Sequence, residues 1–331
     1  MVIDMKIIVD AFGGDNAPLE IIKGCAEAVA EHGVEIILTG KESVIRETAA
    51  ENNISLDKME IEDCEEVLTM HDSAESVVKA KKDSSMGVGF RLLNEGRGDA
   101  FISAGNSGAL CVGATLAVKR IKGIKRPAFA PVIPSATGCL MLIDGGANVD
   151  CRPEMLRQFA MMASIYMQRV MKVDNPKVGL ANVGTEDHKG TELYRETYAI
   201  LKDSDLNFIG NVEGRDIPKG VCDVVVCDGF TGNMILKTYE GVASVLMKEI
   251  KTMFTGSTKG KLAAAFILKD LKDMKKRFDY NTYGGAPILG SSKPVFKAHG
   301  DSKARTIKNA IGLCKDYVEA KAIEEISSSL K

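Results

Sequence analysis

The chain has 331 residues, of which 45% are hydrophobic and 27% charged, and its formal net charge is −2 at pH 7. This size and composition are typical of a soluble protein with one large α/β domain or two smaller ones. The nearly balanced charge excludes a global attraction to nucleic acid or to an anionic membrane, so we expect no nucleic-acid partner. No secretory signal and no apolar run of about 20 residues is visible, and we therefore expect a cytoplasmic protein.

Strand-like apolar runs alternate with stretches of helical periodicity along the chain. The runs are Lys6–Val9, Glu35–Leu38, Ala100–Ser103, Phe129–Ile133, Leu140–Ile143, Val178–Ala181, Asn207–Ile209 and Val224–Cys227. The helical stretches include Leu19–Glu31, Ser43–Glu51, Gly108–Lys119 and Glu154–Arg169. This alternation predicts a mainly parallel sheet covered by helices on both faces. Because no Pro/Ser-rich linker or repeat interrupts it, we expect one continuous α/β unit over residues 1–331.

The first strand-like run leads into a loop, Asp10–Pro18, that contains two adjacent glycines. Gly13 and Gly14 would let backbone N–H groups approach a bound anion, and the carboxylates of Asp10 and Asp15 flank them. The alternative is a plain turn in which Asp15 caps the next helix and Pro18 lies in its first turn.

Five further loops of similar composition follow later strands. They are Ser103–Gly108, Asp144–Asp150, Asn182–Gly190, Gly210–Asp216 and Asp228–Asn233. Each alone is also ordinary turn composition, but the carboxyl ends of parallel strands are where α/β proteins bind ligands, and helix N-termini attract anions. The candidate anion-binding residues are Asp10, Gly13, Gly14, Asp15, Ser103, Gly105, Asn106, Ser107, Asn148, Asp150, Asn182, Gly184, Thr185, Glu186, Asp228, Gly229, Thr231 and Gly232.

Several motifs of other enzyme classes do not occur in the sequence. It has neither a G-x-G-x-x-G fingerprint nor a Walker loop, and no G-x-S-x-G elbow, which argues against a nucleotide cofactor and a covalent acyl-enzyme. Eight cysteines without a C-x-x-C pair indicate reduced thiols, and four scattered histidines argue against zinc. We therefore expect no cofactor and no metal.

Direct attack by a bound anion needs a cation to hold it and a donor for the developing oxyanion. Lys189 is the best candidate for the cation and Asn233 for the donor. The alternatives are a solvated residue at a helix start for Lys189 and an N-cap for Asn233.

A lysine-rich stretch near the C-terminal third departs from the α/β pattern. On a helix, Ala264, Ile267, Leu268, Leu271 and Met274 would share one face, with lysines around it. The helix either packs on the core or on a second subunit, or it meets a membrane surface as a basic amphipathic helix. The membrane-facing candidates are Leu262, Phe266, Ile267, Leu268 and Leu271.

Seven motifs, in order along nearly the whole chain, closely resemble those of the PlsX family of phosphate acyltransferases. They are Asp10–Pro18 with Phe12 for a Met, Ser103–Ala109 with Ser107 for a Thr, Gly146–Asp150, Asn182–Gly190 with His188 where a Lys is common, Asp228–Asn233, Tyr283–Gly290 and Lys297–Ser302. Through the last motif the resemblance also implies His299 as a substrate-binding residue.

The resemblance implies transfer of a fatty acyl group from acyl-acyl-carrier protein to inorganic phosphate, giving acyl phosphate for phospholipid synthesis. It implies Lys189 and Asn233 as the essential pair, and a Rossmann-like α/β/α fold related to phosphotransacetylases and isopropylmalate-type dehydrogenases. It also implies a homodimer and a protruding helical element at about 240–280 that attaches peripherally to the membrane, where a glycerol-phosphate acyltransferase is a further candidate partner.

Three other functions stay open at this point: a short-chain phosphotransacylase using acyl-CoA, a decarboxylating dehydrogenase, and a non-catalytic membrane scaffold. If the substrate is an acidic carrier protein, its docking surface should be locally basic. Lys79, Lys81, Lys82 and Arg91 form one candidate cluster, with a solvated helix face as the alternative.

Overall fold

The computed structural model describes residues 5–277 and 284–330, and within these residues two β-sheets of seven and five strands are flanked by helices. The strands are β1 Lys6–Asp10, β2 Glu35–Gly40, β3 Met59–Asp63, β4 Ala100–Ser103, β5 Ala128–Phe129, β6 Val132–Ser135, β7 Gly138–Ile143, β8 Val178–Asn182, β9 Phe208–Glu213, β10 Val224–Val226, β11 Gly285–Leu289 and β12 Val295–Ala298.

The helices lie between these strands and after the last of them. They are α1 Leu19–His32, α2 Glu42–Glu51, α3 Ser85–Glu95, α4 Ser107–Leu116, α5 Pro153–Arg169, α6 Glu192–Lys202, α7 Gly229–Thr255, α8 Thr258–Phe266, α9 Leu268–Arg277, α10 Ala304–Glu319 and α11 Ala322–Ser328. Two short 3₁₀-helices occur at Ala74–Val78 and Ile217–Lys219.

Both sheets are mainly parallel, as predicted. The first has the order β3-β2-β1-β4-β12-β11-β5, and in it only β11 runs antiparallel to its neighbours. The second has the order β6-β7-β10-β8-β9, and in it only β6 is antiparallel. The α/β fold class is thus confirmed, with the strands divided between two sheets.

The two sheets share one hydrophobic core. Ile102 of β4, Ile143 of β7 and Phe159 of α5 are all fully buried in the same cluster of apolar side chains. Each such side chain contributes roughly 1.5–3 kcal/mol when it leaves water. The shared core therefore joins the sheets and fixes how their loops face one another.

The predicted strand Phe129–Ile133 is divided in two. Pro131 has no N–H to donate to a ladder, and the chain passes at this point from β5 in the first sheet to β6 in the second. β9 extends beyond the predicted end at Ile209 to Glu213, so most of the predicted loop 210–216 is strand. β3, β11 and β12 were not predicted.

The helical element predicted at about 240–280 corresponds to the end of α7 together with α8 and α9, and its residues 278–280 lie outside the described residues. α7 begins in the core with Gly229, Gly232 and Leu236 buried, but within 241–277 no residue whose burial is described is buried. The predicted single helix is broken at Ile267, between α8 and α9, so the predicted apolar face is not continuous. Phe266 is 88% exposed, Leu262, Ile267 and Leu268 are exposed, and Leu271 is half-buried.

No helix among the described residues combines the length and the apolar character needed to cross a membrane.

Candidate active site

A cavity of about 630 Å³ lies between the two sheets. From the first sheet it is lined by loops that follow β1, β4 and β12, and from the second by the loop after β7 and by α7, which follows β10. The carboxyl ends of strands from both sheets therefore converge on one cavity, as expected for ligand sites in open α/β proteins.

Seven predicted site residues line this cavity: Gly14, Asp15, Gly105, Ser107, Asn148, Asn233 and His299. The other predicted residues are not part of its lining: Asp10, Gly13, Ser103, Asn106, Asp150, Asn182, Gly184, Thr185, Glu186, Lys189, Asp228, Gly229, Thr231 and Gly232. Several of these hold the lining loops in place, as their contacts show.

The loop after β1 packs directly on the loop after β4. A Cβ at Gly13 would lie 2.7 Å from the backbone nitrogen of Gly105, so no side chain fits there. Behind the glycines the buried Asp10 carboxylate accepts hydrogen bonds from Ser103 Oγ (2.7 Å) and from the backbone N–H of Phe12 (3.2 Å). Burial raises the pKa of Asp10, and these hydrogen bonds oppose that rise. Asp10 thus positions the two loops.

Asp15 ties the same loop to the one after β12, since its backbone N–H donates to the carbonyl of Gly300 (2.7 Å). It does not cap α1, which begins at Leu19 with Pro18 at the N-cap position, so the alternative of a capping Asp15 is wrong.

The N-terminus of α4 points into the cavity. Asn106 caps it by accepting the N–H of Ala109 at Oδ1 (3.1 Å). The next two residues, Ser107 and Gly108, line the cavity, and N–H groups in the first turn have no acceptor within the helix. This turn is therefore a potential anion-binding element.

Asp144, which sequence analysis did not select, organises the loop after β7. Its buried carboxylate accepts the backbone N–H groups of Phe129, Gly146, Ala147 and Asn148 at 2.7–3.1 Å, and also Asn148 Nδ2 at 2.8 Å. Burial raises the pKa of this carboxyl, and the donors oppose the rise. An Asp directly after a strand and before two glycines was the available signal for it.

The start of α7 places Asn233 in the cavity. Asp228 is the N-cap, accepting the N–H of Thr231 at 2.9 Å, so Asn233 is the fifth residue of the helix and the N-cap alternative for it is wrong. A Cβ at Gly232 would lie 1.9 Å from the carbonyl oxygen of Asp144, which shows how closely α7 packs on the neighbouring loop. Lys237, one turn after Asn233, also lines the cavity and pairs with Glu240 at 2.8 Å.

Lys189 lies in the loop after β8, before α6, and its side chain is 42% exposed. Its Nζ is 4.0 Å from the Glu186 carboxylate, and its carbonyl accepts a hydrogen bond from Asn182 Nδ2 (3.1 Å). β8 lies beside β10 in the sheet, and Tyr194 of α6 donates to the Asp228 carboxylate at 2.5 Å. The elements that carry Lys189 and Asn233 are therefore adjacent, although Lys189 is outside the cavity lining.

The loop after β12 brings a second lysine into the cavity, Lys297, which sequence analysis quoted in a motif but did not select. It is 7% exposed, and its Nζ donates to the carbonyls of Ala104 (3.1 Å) and Ala298. Burial lowers its pKa to about 8. Burial also lowers the pKa of the neighbouring His299, which favours the neutral imidazole.

One wall of the cavity is apolar. α4 presents residues at helical spacing, Cys111 and Val112 and then Thr115 and Leu116, and Leu236 of α7 and Ile288 of β11 also line the cavity. Polar groups at the N-terminus of α4 thus lead directly into an apolar surface that runs along the same helix. α4 has ten residues, a length of about 15 Å at about 1.5 Å per residue.

The candidate docking cluster is largely neutralised by acidic neighbours. Lys79 pairs with Glu75 and Lys81 with Asp72, at 2.7 and 2.8 Å. Arg91 lies within 3.8 Å of two carboxylates. This arrangement favours the alternative of a solvated surface.

Within residues 5–277 and 284–330, no group of three or more His, Cys, Asp or Glu side chains is arranged to hold a metal ion. All eight cysteines are free thiols.

Comparisons with known proteins agree with the motifs. A family model described as "Fatty acid synthesis protein" matches residues 5–325. A phosphate acyltransferase from Clostridium botulinum (strain Loch Maree / Type A3) is 47% identical over 327 residues, which is 98% of both chains. Another from Acetivibrio thermocellus is 48% identical over 323 residues, which is 97% of this chain and 95% of the relative.

Solved structures share the fold at low sequence identity. A phosphotransacetylase from Streptococcus pyogenes matches with a TM-score of 0.63 at 18% identity, over 97% of this chain and 94% of that one. A phosphotransacetylase from Staphylococcus aureus matches with a TM-score of 0.58 at 15% identity, over 96% and 94%. The predicted phosphotransacetylase-like fold is therefore confirmed, and the full-length match to curated relatives establishes that the chain belongs to the PlsX family of phosphate acyltransferases and is a transferase enzyme.

Proposed function

We propose that the protein transfers a fatty acyl group from acyl-acyl-carrier protein to inorganic phosphate, and that the acyl phosphate serves phospholipid synthesis. The observation that carries this proposal is the cavity in which a polar, glycine-rich end continues into an apolar wall along α4. The polar end suits an oxyanion with several oxygens, and the apolar wall suits the chain of a fatty acyl group. An enzyme for acetyl groups alone would have no use for such a wall.

In the proposed reaction a phosphate oxygen attacks the carbonyl carbon of the thioester on the carrier's phosphopantetheine arm. A C–O bond forms, the C–S bond breaks after a tetrahedral intermediate, and the thiolate leaves and takes up a proton. The phosphate needs no activation by a metal or a nucleotide because it is a nucleophile and the thioester is already an activated acyl group.

Asn233 and Lys189 are the proposed catalytic residues. The Asn233 amide, in the cavity lining, would donate to the oxyanion of the intermediate, and one such donor is worth about 2.7–4 kcal/mol. Lys189, in the loop between β8 and α6 beside the element that carries Asn233, would offset the charge of the attacking phosphate. Gly14, Gly105, Ser107, Asn148 and His299 would contact the substrates.

The direct test is to incubate the protein with palmitoyl-acyl-carrier protein and trap any acyl phosphate with hydroxylamine, with and without inorganic phosphate. We expect acyl hydroxamate only when both phosphate and protein are present. Palmitoyl-CoA and acetyl-CoA are offered in parallel, because a short-chain phosphotransacylase would prefer acetyl-CoA. Turnover of acetyl-CoA above that of the acyl carrier would replace the proposal with this alternative.

We also propose that the segment α8–α9, with the exposed end of α7, attaches the enzyme peripherally to a membrane surface and packs on a second copy in a homodimer. Exposed apolar side chains at Val245, Leu246, Leu262, Phe266 and Leu268 support such contacts. Delivery at the bilayer would suit a poorly soluble product that a glycerol-phosphate acyltransferase then consumes.

A further inference from the structure

The cavity contains a buried ammonium group whose role the comparisons do not assign. Lys297, at the end of β12, is 7% exposed and lines the cavity. Its Nζ donates to two backbone carbonyls, those of Ala104 and Ala298, and it forms no ion pair with any carboxylate in the described part of the chain. Carbonyls solvate the ammonium but do not balance its charge.

A buried cation without a counter-ion is costly for a folded protein. The cost is visible here because burial and, to a lesser degree, the nearby ammonium of Lys237 lower the pKa of Lys297 to about 8. Asp10 and Asp15 act in the opposite direction, but their effects on this pKa are smaller. An anion bound in the cavity would supply the charge that this lysine lacks.

A second feature converges on the same place. Lys297 lies opposite Ser103 in the register of β12 and β4, and β4 leads directly into α4. The carbonyl that accepts from its Nζ, that of Ala104, comes just before the capping segment of α4. The first-turn residues Ser107 and Gly108 line the same cavity, and their N–H groups have no acceptor within the helix. An ammonium and a helix N-terminus thus lie at one end of the cavity.

We propose that Lys297 and the first turn of α4 together form the binding site for the orthophosphate nucleophile. This inference rests on the proposed function and names the cation that binds the attacking anion. Phosphate bound there would lie at the polar end of the apolar wall, in the cavity that Asn233 also lines. Lys297 then determines phosphate affinity, and Lys189 acts on the attack itself.

The test compares Lys297→Met with the wild type by calorimetric titration with inorganic phosphate and by the KM for phosphate. Methionine is apolar and similar in length, so it removes the charge without leaving a large void. We expect phosphate affinity to fall at least tenfold, the KM for phosphate to rise equally, and the KM for the acyl carrier to stay within twofold. Lys303→Met removes the same charge from an exposed position six residues away and should change none of these values.

A second pair of variants tests the helix N-terminus independently of Lys297. Ser107→Pro removes one N–H at the first position of α4, where proline is well tolerated, and Ser107→Ala keeps that N–H but removes the hydroxyl. We expect weaker phosphate binding in Ser107→Pro than in Ser107→Ala. Phosphate affinities within twofold of the wild type in both Lys297→Met and Ser107→Pro would overturn the inference. If Lys297→Met does not fold, the Ser107 pair decides.

The outcomes separate this site from the function on which it rests. If the wild type forms acyl phosphate and Lys297→Met has an unchanged KM for phosphate, the function stands and the inference fails. If phosphate binding depends on Lys297 but no acyl carrier is ever turned over, the anion site stands and the proposed function fails.

Discussion

At the scale of single residues, the acidic side chains beside this cavity order its loops. Asp10 is the last residue of β1, and Asp144 and Asp228 come after β7 and β10. The carboxylate oxygens of each accept hydrogen bonds from nearby backbone N–H or hydroxyl groups. These carboxylates therefore hold the loops in place through hydrogen bonds. This explains how carboxylates flank glycine-rich loops that are proposed to bind an anion.

Asp144→Asn should destabilise the protein. The two carboxylate oxygens accept five N–H donors, and an amide would turn an NH₂ group toward some of them. We expect the free energy of unfolding in urea to fall by about 3 kcal/mol, because hydrogen bonds to charged groups are worth about 1.5–3 kcal/mol each. Asp150→Asn, exposed in the same loop, is the control and should stay within about 0.5 kcal/mol. Equal midpoints for both variants would contradict this account of Asp144.

Asn233→Ala should lower kcat by about 10²–10³-fold, because it removes a proposed oxyanion donor, while phosphate affinity is retained.

Lys189→Ala should abolish turnover. It should leave the melting temperature unchanged, because the Lys189 side chain is half-exposed and its ion pair with Glu186, at 4.0 Å, is long. Steady-state rates and calorimetry measure both effects, with the exposed Lys202→Ala as control. Acyl phosphate formation near the wild-type rate by either variant would reject that residue's catalytic role.

Anion binding should weaken as the pH rises through about 8. Lys297, whose pKa burial lowers to about 8, is charged below that pH and neutral above it. Sulfate keeps its charge between pH 7 and 9.5, so its inhibition constant against phosphate should increase over this range. Lys297→Arg, which keeps its charge, should give a constant value. A constant value for the wild type would show that the Lys297 charge is not used.

Other groups near Lys297 do not reproduce this dependence. They are Lys237 and Glu240 on α7, Asp10 at the end of β1, Asp15 in the loop after β1, Cys111 on α4, and His299 with Asp301 after β12. Burial lowers the pKa of His299 below its usual value and raises that of Cys111 to about 12, so both lie outside the range tested. The Arg variant leaves all of these groups unchanged and therefore isolates Lys297.

Residue types in loops were predictable from sequence, but their orientation was not. Asn233 and Ser107 were selected and line the cavity, whereas Asn106 was selected and is a helix cap. Residues that cap a helix and residues that bind a substrate are of the same types, so only the residue at which the helix begins distinguishes the two roles. Lys297 was not predicted as a site residue because it lies inside β12, a short strand that the apolar pattern did not indicate.

At the scale of elements, the strands with uninterrupted Val/Ile runs were predicted within one residue, as for β1 and β10. Such continuous apolar runs are typical of strands that are buried on both faces of a sheet. β11 and β12 lack this signal because glycine, alanine, proline and lysine make up much of them, and tertiary packing decides their conformation. The break at Pro131 was missed for a related reason, since the composition on either side of it is strand-like.

The protruding element gives a prediction at this scale. Leu268→Glu should reduce co-sedimentation with vesicles of phosphatidylglycerol and phosphatidylcholine by about tenfold or more, since a buried Leu contributes roughly 1.5–3 kcal/mol. Leu268 begins α9 and is exposed, so the variant should keep its fold. Val221→Glu, an exposed site before β10, is the matched control. Equal sedimentation of wild type and Leu268→Glu would count against this element as the anchor.

At the scale of the whole molecule, the site depends on two sheets that are joined through one core. Neither sheet alone forms the cavity, because the Ala104–Gly108 loop belongs to the first and the Gly145–Asn148 loop to the second. Sequence periodicity indicated parallel strands but could not assign them to two sheets, since strand order is set by contacts between distant segments. The position of the cavity between them was therefore accessible only from the structure.

A ligand in this cavity should couple the two sheets. Phosphate bound by Lys297 and α4 would face Asn148 and Asn233 on the other side of the cavity. At 100 times its Kd it would stabilise the conformation in which both sides contact it by about 2.7 kcal/mol. Hydrogen exchange of backbone amides in 104–108 and in 145–148 should therefore slow together when phosphate is added to the wild type. In Lys297→Met both loops should slow less than in the wild type at the same phosphate concentration. Slower exchange in 104–108 alone would mean that phosphate contacts only the first sheet. The acyl group would then have to reach the phosphate from the side of the second sheet.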